Sequence, residues 1–205
     1  MRKIIIFAIA CSYISFLLLD ITNANVLLST WLKFSSVILC FSLTLFSKRD
    51  ALLIAALALT IAADWFLLIQ NIHLAGVLIF CIVQIIYNVR HGSSLVSTGI
   101  YLFLCAASAI LIGVFFNLGA INTTAILYAA LILRAAFFGF KTKNFNVIAG
   151  MCLFLLCDLS VALHNASQAG FVLPPTLSAV AAFSMWLFYL PSQFLLAQSR
   201  INFTK

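Results

Sequence analysis

Long, uninterrupted apolar runs constrain this chain more than any other feature of its sequence. Eight runs have about the 17–25 residues that a helix needs to cross the hydrocarbon core of a bilayer. They cover residues 3–19, 27–46, 51–69, 72–89, 95–116, 122–140, 146–164 and 175–197. Because the runs are continuously apolar and do not alternate, they predict helices and exclude the strands of a barrel.

The composition agrees with a membrane protein. Only 7% of the 205 residues are charged, whereas a soluble domain carries about 25%. The polar breaks between runs are too short to be linkers. We therefore predict an all-α bundle of eight transmembrane helices that forms a single domain over residues 1–205. The first run resembles a signal peptide, but no clean cleavage site follows it, so we interpret it as the first span.

The basic residues of the loops orient this predicted bundle. With the N-terminus in the cytoplasm, every basic loop residue falls on the inner side, and the outer loops contain Asp20 but no Lys or Arg. The inner set is Arg2, Lys3, Lys48, Arg49, Arg90, Lys141, Lys143, Arg200 and Lys205. This pattern obeys the positive-inside rule and predicts cytoplasmic N- and C-termini. We expect an integral protein of a bacterial inner (plasma) membrane. The spread of the charge over short loops argues against a nucleic-acid surface.

Four charged residues lie within the predicted spans: Lys33, Asp64, Arg134 and Asp158. Ionised groups at such positions are costly, by about 2.5–3.5 kcal/mol for an Asp, and are functional candidates by default. Counted from the span ends, Lys33, Asp64 and Asp158 lie roughly 8–9 Å below the outer boundary, so they predict one polar site. Lys33 could instead pair with an aspartate or extend outward. Arg134, in the inner half, could reach the cytoplasmic headgroups.

Two carboxylates at one depth suggest acid–base chemistry. Close carboxylic acids do not ionise together readily, so one stays protonated as a general acid while the other acts as a base. No GxSxG motif is present, which argues against a serine nucleophile. A zinc site of His73, His164 and the two aspartates is an alternative, although the histidines lack a diagnostic spacing.

The fourth run carries polar residues on one face. Gly76, Phe80, Gln84 and Tyr87 or Asn88 follow helical steps. A Gln and an Asn within a span usually face protein, and hydrogen bonds between helices are the simplest explanation for them. The six cysteines lie in apolar runs and have neither disulfide nor metal-ligand spacing, so we interpret them as small core residues.

At these residues the sequence resembles the YhhN-like lysoplasmalogenases, a family of polytopic membrane proteins. The family has a Gly-Asp pair before a Leu-rich segment in its third helix, and here Ala63 precedes Asp64. Its next helix reads roughly G-x-x-x-F-x-x-x-H-x-x-Y. Here Gly76, Phe80, Gln84 and Tyr87 occupy those places, with Gln84 in that of the His.

A late helix and two further positions extend the resemblance, which covers roughly residues 27–165. The family pattern G-x-x-x-F-x-x-S-D is met by Gly150, Phe154 and Asp158, with Cys157 in the place of the Ser. A Lys in the second helix corresponds to Lys33. A Tyr in the helix before the late pattern corresponds to Tyr128.

The resemblance implies hydrolysis of the vinyl-ether bond of lysoplasmalogens, a class of lysophospholipid, to a fatty aldehyde and glycerophospho-ethanolamine or -choline. The expected catalytic pair is Asp64 and Asp158, with neither a metal nor another cofactor. The expected substrate-binding residues are Lys33, Gln84, Tyr87, Asn88 and Tyr128. The partners would be the lipid bilayer and a single-chain substrate that enters between helices.

Two alternatives use the same polar residues. One is a proton-coupled transporter of a small or lipid-like substrate, although the sequence shows no clear inverted repeat with broken helices. The other is a zinc-dependent lipid amidase.

Overall fold

The computed structural model describes residues 1–46, 50–168 and 174–199. Within these ranges the chain is all-helical, which confirms the predicted fold class. The helices are α1 (Arg2–Thr22), α2 (Val26–Leu45), α3 (Ala51–Asp64), α4 (His73–Arg90), α5 (Leu95–Phe115), α6 (Ala120–Lys141), α7 (Phe145–Gln168) and α8 (Pro175–Gln198). With α3 counted to Ile69, all eight are long and apolar enough to cross a membrane.

The membrane orientation of this helical chain stays a prediction. Four of the basic residues that support it, Lys48, Arg49, Arg200 and Lys205, lie outside the described residues. The sequence assigned Asp20 to an outer loop. In the structure Asp20 instead lies within the last turn of α1.

Polar residues in the breaks begin and end the helices. Three of them cap a helix start by accepting a backbone N–H: Asn25 from Leu28 at 2.9 Å, Asp50 from Leu53 at 3.0 Å and Ser94 from Ser97 at 3.1 Å. Three asparagines between helices adopt left-handed backbone, namely Asn23, Asn71 and Asn117, with φ of 50°, 55° and 50°. Asn tolerates this conformation better than most residues, so the helix boundaries follow from local sequence.

The third run departs from the predicted single helix. It is α-helical only as far as Asp64, and Trp65–Ile69 forms a π-helical turn. Gly76 of α4 packs against this region, since a Cβ there would overlap the side chain of Leu67 and lie 3.2 Å from the carbonyl oxygen of Ala63. The close approach therefore requires glycine, and it brings α4 next to the carboxylate-bearing end of α3. π-turns occur frequently at functional sites.

The chain divides into two compact units. The first unit contains Met1–Leu43 and Phe145–Ser199, and the second contains Thr44–Asn144. In the first, α8 packs against α1 and α7. In the second, α4 packs against α3, α5 and α6, and α5 packs against α6. The assignment of the whole chain to one domain stays a prediction.

In the first unit, a side chain of α1 replaces a backbone hydrogen bond that α8 lacks. Pro191 lies inside α8 and has no N–H to donate to the carbonyl oxygen of Leu187, four residues earlier. The hydroxyl of Tyr13 in α1 donates to that oxygen at 2.9 Å. Within a bilayer an unsatisfied carbonyl has no water to bind. The bond therefore stabilises α8 and holds α1 against it.

In the second unit, a buried ion pair joins α3 to α4. The Nε of Arg90 donates to Asp50 Oδ2 at 2.9 Å, and the Arg90 side chain is fully inaccessible. Asp50 also caps α3, so one carboxylate connects the start of that helix to the end of α4. The sequence indicated only a loop cation at position 90. The structure corrects this, since Arg90 ends α4 and is buried.

We predict that Tyr13→Phe destabilises the protein by about 1 kcal/mol, because the Leu187 carbonyl loses its donor. Unfolding in detergent micelles, followed by circular dichroism, measures the loss. The matched background is Pro191→Ala, in which the backbone N–H of residue 191 can donate to Leu187. There Tyr13→Phe should have little effect. An equal loss in both backgrounds would contradict this account of the bond.

Candidate functional site

Asp64 is the buried carboxylate of the second unit. It is the last residue of α3, directly before the π-helical turn, and only 3% of its surface is exposed. Its neighbours Thr60 and Ala63 are fully buried. The prediction of a carboxylate within the third span is therefore confirmed, and the change of helix type adds a local distortion at this residue that hydropathy does not show.

The predicted polar face of α4 is also present. Gly76, Phe80, Gln84, Tyr87 and Asn88 are all buried, the last three of them completely. Helical spacing places them in one row. The row points into protein, as a Gln and an Asn in a span predict.

Hydrogen bonds join this row to α6. Gln84 Nε2 donates to the hydroxyl of Tyr128 at 3.4 Å, and the ring centroids of Phe80 and Tyr128 are 6.1 Å apart. Asn88 Nδ2 donates to the carbonyl oxygens of Gln84, at 2.8 Å, and Leu131, at 3.1 Å. The structure thus brings together four predicted substrate-binding residues, Gln84, Tyr87, Asn88 and Tyr128, in one unit.

Several polar atoms of the row have no hydrogen-bond partner within the described parts of the chain. They are Gln84 Oε1, the Tyr87 hydroxyl, Asn88 Oδ1 and His91 Nε2. Buried polar atoms without a partner typically cost about 1–3 kcal/mol each. A cluster of them within two helical turns is suited to bind the polar part of a ligand or water.

His91 belongs to this row, although our sequence interpretation did not include it. It follows Gln84 by seven residues, so the same helical period that identified the row could have found it. Its Nδ1 lies 3.0 Å from the carbonyl oxygen of Ala135. Its ring stacks on Tyr87 with centroids 5.5 Å apart.

His91 lies just beyond the end of α4 and is neutral near pH 7. Burial lowers the pKa of His91 to about 4, against the opposing effect of its bond to Ala135. The nearby Arg90 cation lowers the pKa further, and Asp50 raises it. The neutral ring donates from Nδ1 to Ala135 and presents Nε2 as an acceptor.

Lys33 lies in the first unit and is held by Asp20. Its Nζ lies 2.8 Å from Asp20 Oδ2 and 3.0 Å from Oδ1, and Ser29 donates to the same carboxylate at 2.5 Å. The Nζ also lies 5.3 Å from the ring centroid of Trp186 and 5.8 Å from that of Phe16. The alternative of an ion pair with an aspartate is therefore realised, with Asp20 as the partner. In the sequence, the short turn between α1 and α2 could have predicted this pair, because it brings the end of α1, with Asp20, close to α2, which carries Lys33.

Asp158 lies in the same unit as Lys33. It is half-buried on α7, one turn after Phe154. The ring of Phe154 packs against Tyr189 at 5.9 Å, and Tyr189 packs against Trp186 at 5.2 Å. A row of aromatic rings therefore leads from the Lys33 ammonium to the helix that carries Asp158.

The two aspartates fall in different compact units, Asp64 in the second and Asp158 in the first. Their proximity stays a prediction. Within residues 1–46, 50–168 and 174–199, no three His, Cys, Asp or Glu side chains form a group that could hold a metal ion.

Comparison with models of known protein families identifies the family to which this chain belongs. The model of the YhhN family matches residues 28–200. The chain belongs to the YhhN family. The match confirms the resemblance, and it includes Lys33, Asp64 and Asp158 but not Asp20. No curated protein and no solved structure matches the chain.

For this YhhN-family protein we predict that acid destabilises the fold through His91. Unfolding returns the pKa of His91 from about 4 to about 6.5, so the unfolded chain takes up a proton between these values. As far as His91 determines it, the free energy of unfolding is highest above pH 6.5 and decreases as the pH falls toward 4. Between pH 7 and 4.5 the wild type should lose about 2 kcal/mol of its free energy of unfolding through His91, and His91→Gln should not show this part of the loss.

Chemical unfolding in detergent at several pH values measures this difference. The control is His73→Gln, which changes an exposed histidine at the start of α4 and should keep the pH dependence of the wild type. If the free energy of unfolding of His91→Gln depended on pH as that of the wild type does, the buried histidine would be excluded as the source of the acid destabilisation.

Proposed function

We propose that this YhhN-family protein is an integral-membrane hydrolase that cleaves the vinyl-ether bond of lysoplasmalogens. The observation that carries the proposal is Asp64, a carboxylate 3% exposed within a span. It is placed where the helix changes to a π-turn, at the end of α3 that Gly76 of α4 approaches closely. Family membership supports the same substrate class. The products are a fatty aldehyde and glycerophospho-ethanolamine or -choline.

The chemistry needs one acid and one base, which we assign jointly to Asp64 and Asp158. The protonated carboxyl donates a proton to the vinyl carbon remote from the ether oxygen. The carbon bound to oxygen becomes an oxocarbenium ion. The other carboxylate stabilises this cation and removes a proton from the water that attacks it. The resulting hemiacetal breaks down to the aldehyde and the free glycerol hydroxyl, so one water is consumed.

The α4 row would bind the polar part of the substrate. Gln84 occupies the place of the family histidine and cannot exchange a proton, so proton transfer falls to the aspartates. The unpartnered Gln84 Oε1 and Asn88 Oδ1 can accept hydrogen bonds from hydroxyl groups or water that reach the row, and the Tyr87 hydroxyl can donate one. Tyr128 holds the Gln84 side chain in place.

Lys33 would bind the substrate phosphate. An ammonium has three N–H donors, so a phosphate can join Asp20 on Lys33 without replacing it. Asp20 then fixes the direction of the ammonium, and the rings of Phe16 and Trp186 form an apolar wall beside it. Asp20 acts as a positioning residue in this arrangement.

We predict that Asp64→Asn and Asp158→Asn each lower the rate of aldehyde release at least about 100-fold, since each removes one acid or base. The assay is purified protein in detergent with a lysoplasmalogen, scored for aldehyde. The control is Cys157→Ser, which introduces the family residue beside Asp158 and should keep activity. Full activity in both Asp variants would refute the proposal. Uptake driven by a pH gradient without any product would favour a transporter instead.

We also predict a substrate-dependent effect of Lys33→Gln. For lysoplasmalogens it should raise KM about tenfold, because the phosphate loses a charged partner. For the phosphate-free 1-alkenylglycerol, KM should stay within about twofold of the wild type, since that substrate has nothing for Lys33 to bind. Steady-state kinetics with both substrates measure this. Equal losses on the two substrates would show that Lys33 only supports the fold.

A further inference from the structure

A groove on the second unit lies between α5 and α6 and has no part in the proposed hydrolysis. It has a volume of about 380 Å³ and opens to the surface. Its polar end contains Ser94, Ser97, Tyr101 and Arg134, and its apolar wall includes Ile100 and Leu104. The arrangement therefore joins a cation and hydroxyl groups to an exposed apolar surface.

Arg134 is held in a defined position at the polar end. It starts from α6, and its Nη2 donates to the hydroxyl oxygens of Ser93 at 3.0 Å and Ser97 at 2.7 Å. The guanidinium carbon lies 4.3 Å from the ring centroid of Tyr101. The side chain thus reaches across to the first turn of α5 and stacks on an aromatic face, which limits its motion.

The charge of Arg134 is not neutralised by the part of the chain that the structure describes. No carboxylate there pairs with it, and both of its hydrogen bonds use Nη2. Its Nε is buried and has no hydrogen-bond partner among those residues. A guanidinium against an apolar surface is best stabilised by an anion, and its planar fork fits a phosphate.

The depth and shape of the groove indicate what carries that anion. Because Ser94 caps α5 and Ser97 lies in its first turn, the guanidinium lies at the end of a span, where lipid headgroups are found. Ile100 and Leu104 follow along the same helix and are each 57% exposed. An acyl chain can lie on these side chains while a phosphate contacts Arg134.

We propose that this groove binds an anionic phospholipid, with its phosphate on Arg134 and the Ser97 hydroxyl and an acyl chain along Ile100 and Leu104. A zwitterionic lipid fits less well, because the described lining of the groove offers no carboxylate to its ammonium. The predicted orientation places the groove at the cytoplasmic leaflet, where anionic lipids attract juxtamembrane basic residues. This lipid is a ligand of the surface and not the hydrolase substrate.

The test measures lipid binding to purified, delipidated protein in detergent. Native mass spectrometry gives the dissociation constant for phosphatidylglycerol, and phosphatidylcholine and inorganic phosphate are the comparison ligands. The wild type should bind phosphatidylglycerol at least about tenfold more tightly than phosphatidylcholine. Arg134→Gln should weaken phosphatidylglycerol binding about tenfold. The control is Lys141→Gln, which removes an exposed cation from the same helix and should change binding less than about twofold.

Three results would overturn the proposal: equal binding of the two lipids, unchanged binding by Arg134→Gln, or inorganic phosphate binding as tightly as the lipid. If Arg134→Gln does not fold, Ser97→Ala and Arg134→Lys replace it. The first removes one hydroxyl and the second removes the planar fork but keeps the charge. Each should weaken phosphatidylglycerol binding about threefold, and wild-type affinity in both would refute the site.

Discussion

The rest of this structure depends on the absence of water as a hydrogen-bond partner in the hydrocarbon core. Every backbone N–H and C=O there must be satisfied by the protein, so long apolar runs become helices. The same requirement explains the polar caps at Asp50 and Ser94, which satisfy the first N–H groups of α3 and α5. It also explains Tyr13, whose hydroxyl serves the carbonyl that Pro191 leaves without a donor.

The same constraint governs the charged side chains, and each buried or half-buried cation of the described residues has polar or aromatic partners within the protein. Arg90 pairs with Asp50, and Lys33 pairs with Asp20. Arg134 instead uses serine hydroxyls and aromatic rings. The chain has only four acidic residues. Asp20 and Asp50 pair with two of these cations, and Asp64 and Asp158 are the carboxylates to which we assign the chemistry.

Helix α4 approaches α3 closely at the end that carries Asp64, and farther along it carries buried polar groups that lack protein partners. Gly76 allows α4 to approach the π-turn closely, which fixes the backbone next to the carboxylate. On α4, Gln84, Tyr87, Asn88 and His91 present buried polar atoms without partners among the described residues. Such a row lowers stability, as buried unsatisfied groups do, and a binding site for the polar part of a lipid is a physical reason for a membrane protein to keep it.

The number of helices and their approximate positions, the presence of a carboxylate in the third span and the buried face of α4 could be predicted from the sequence, whereas the ends of α1 and α3 could not. These properties depend on local composition and on the helical period, which neighbouring residues determine. The partner of Lys33, the burial of Arg90, the π-turn after Asp64 and the bond from Tyr13 to Leu187 could not. Each depends on side chains far apart in sequence or on packing between helices. Tertiary structure decided them because a charged or polar group in a bilayer takes whichever partner the packed helices bring within hydrogen-bonding distance.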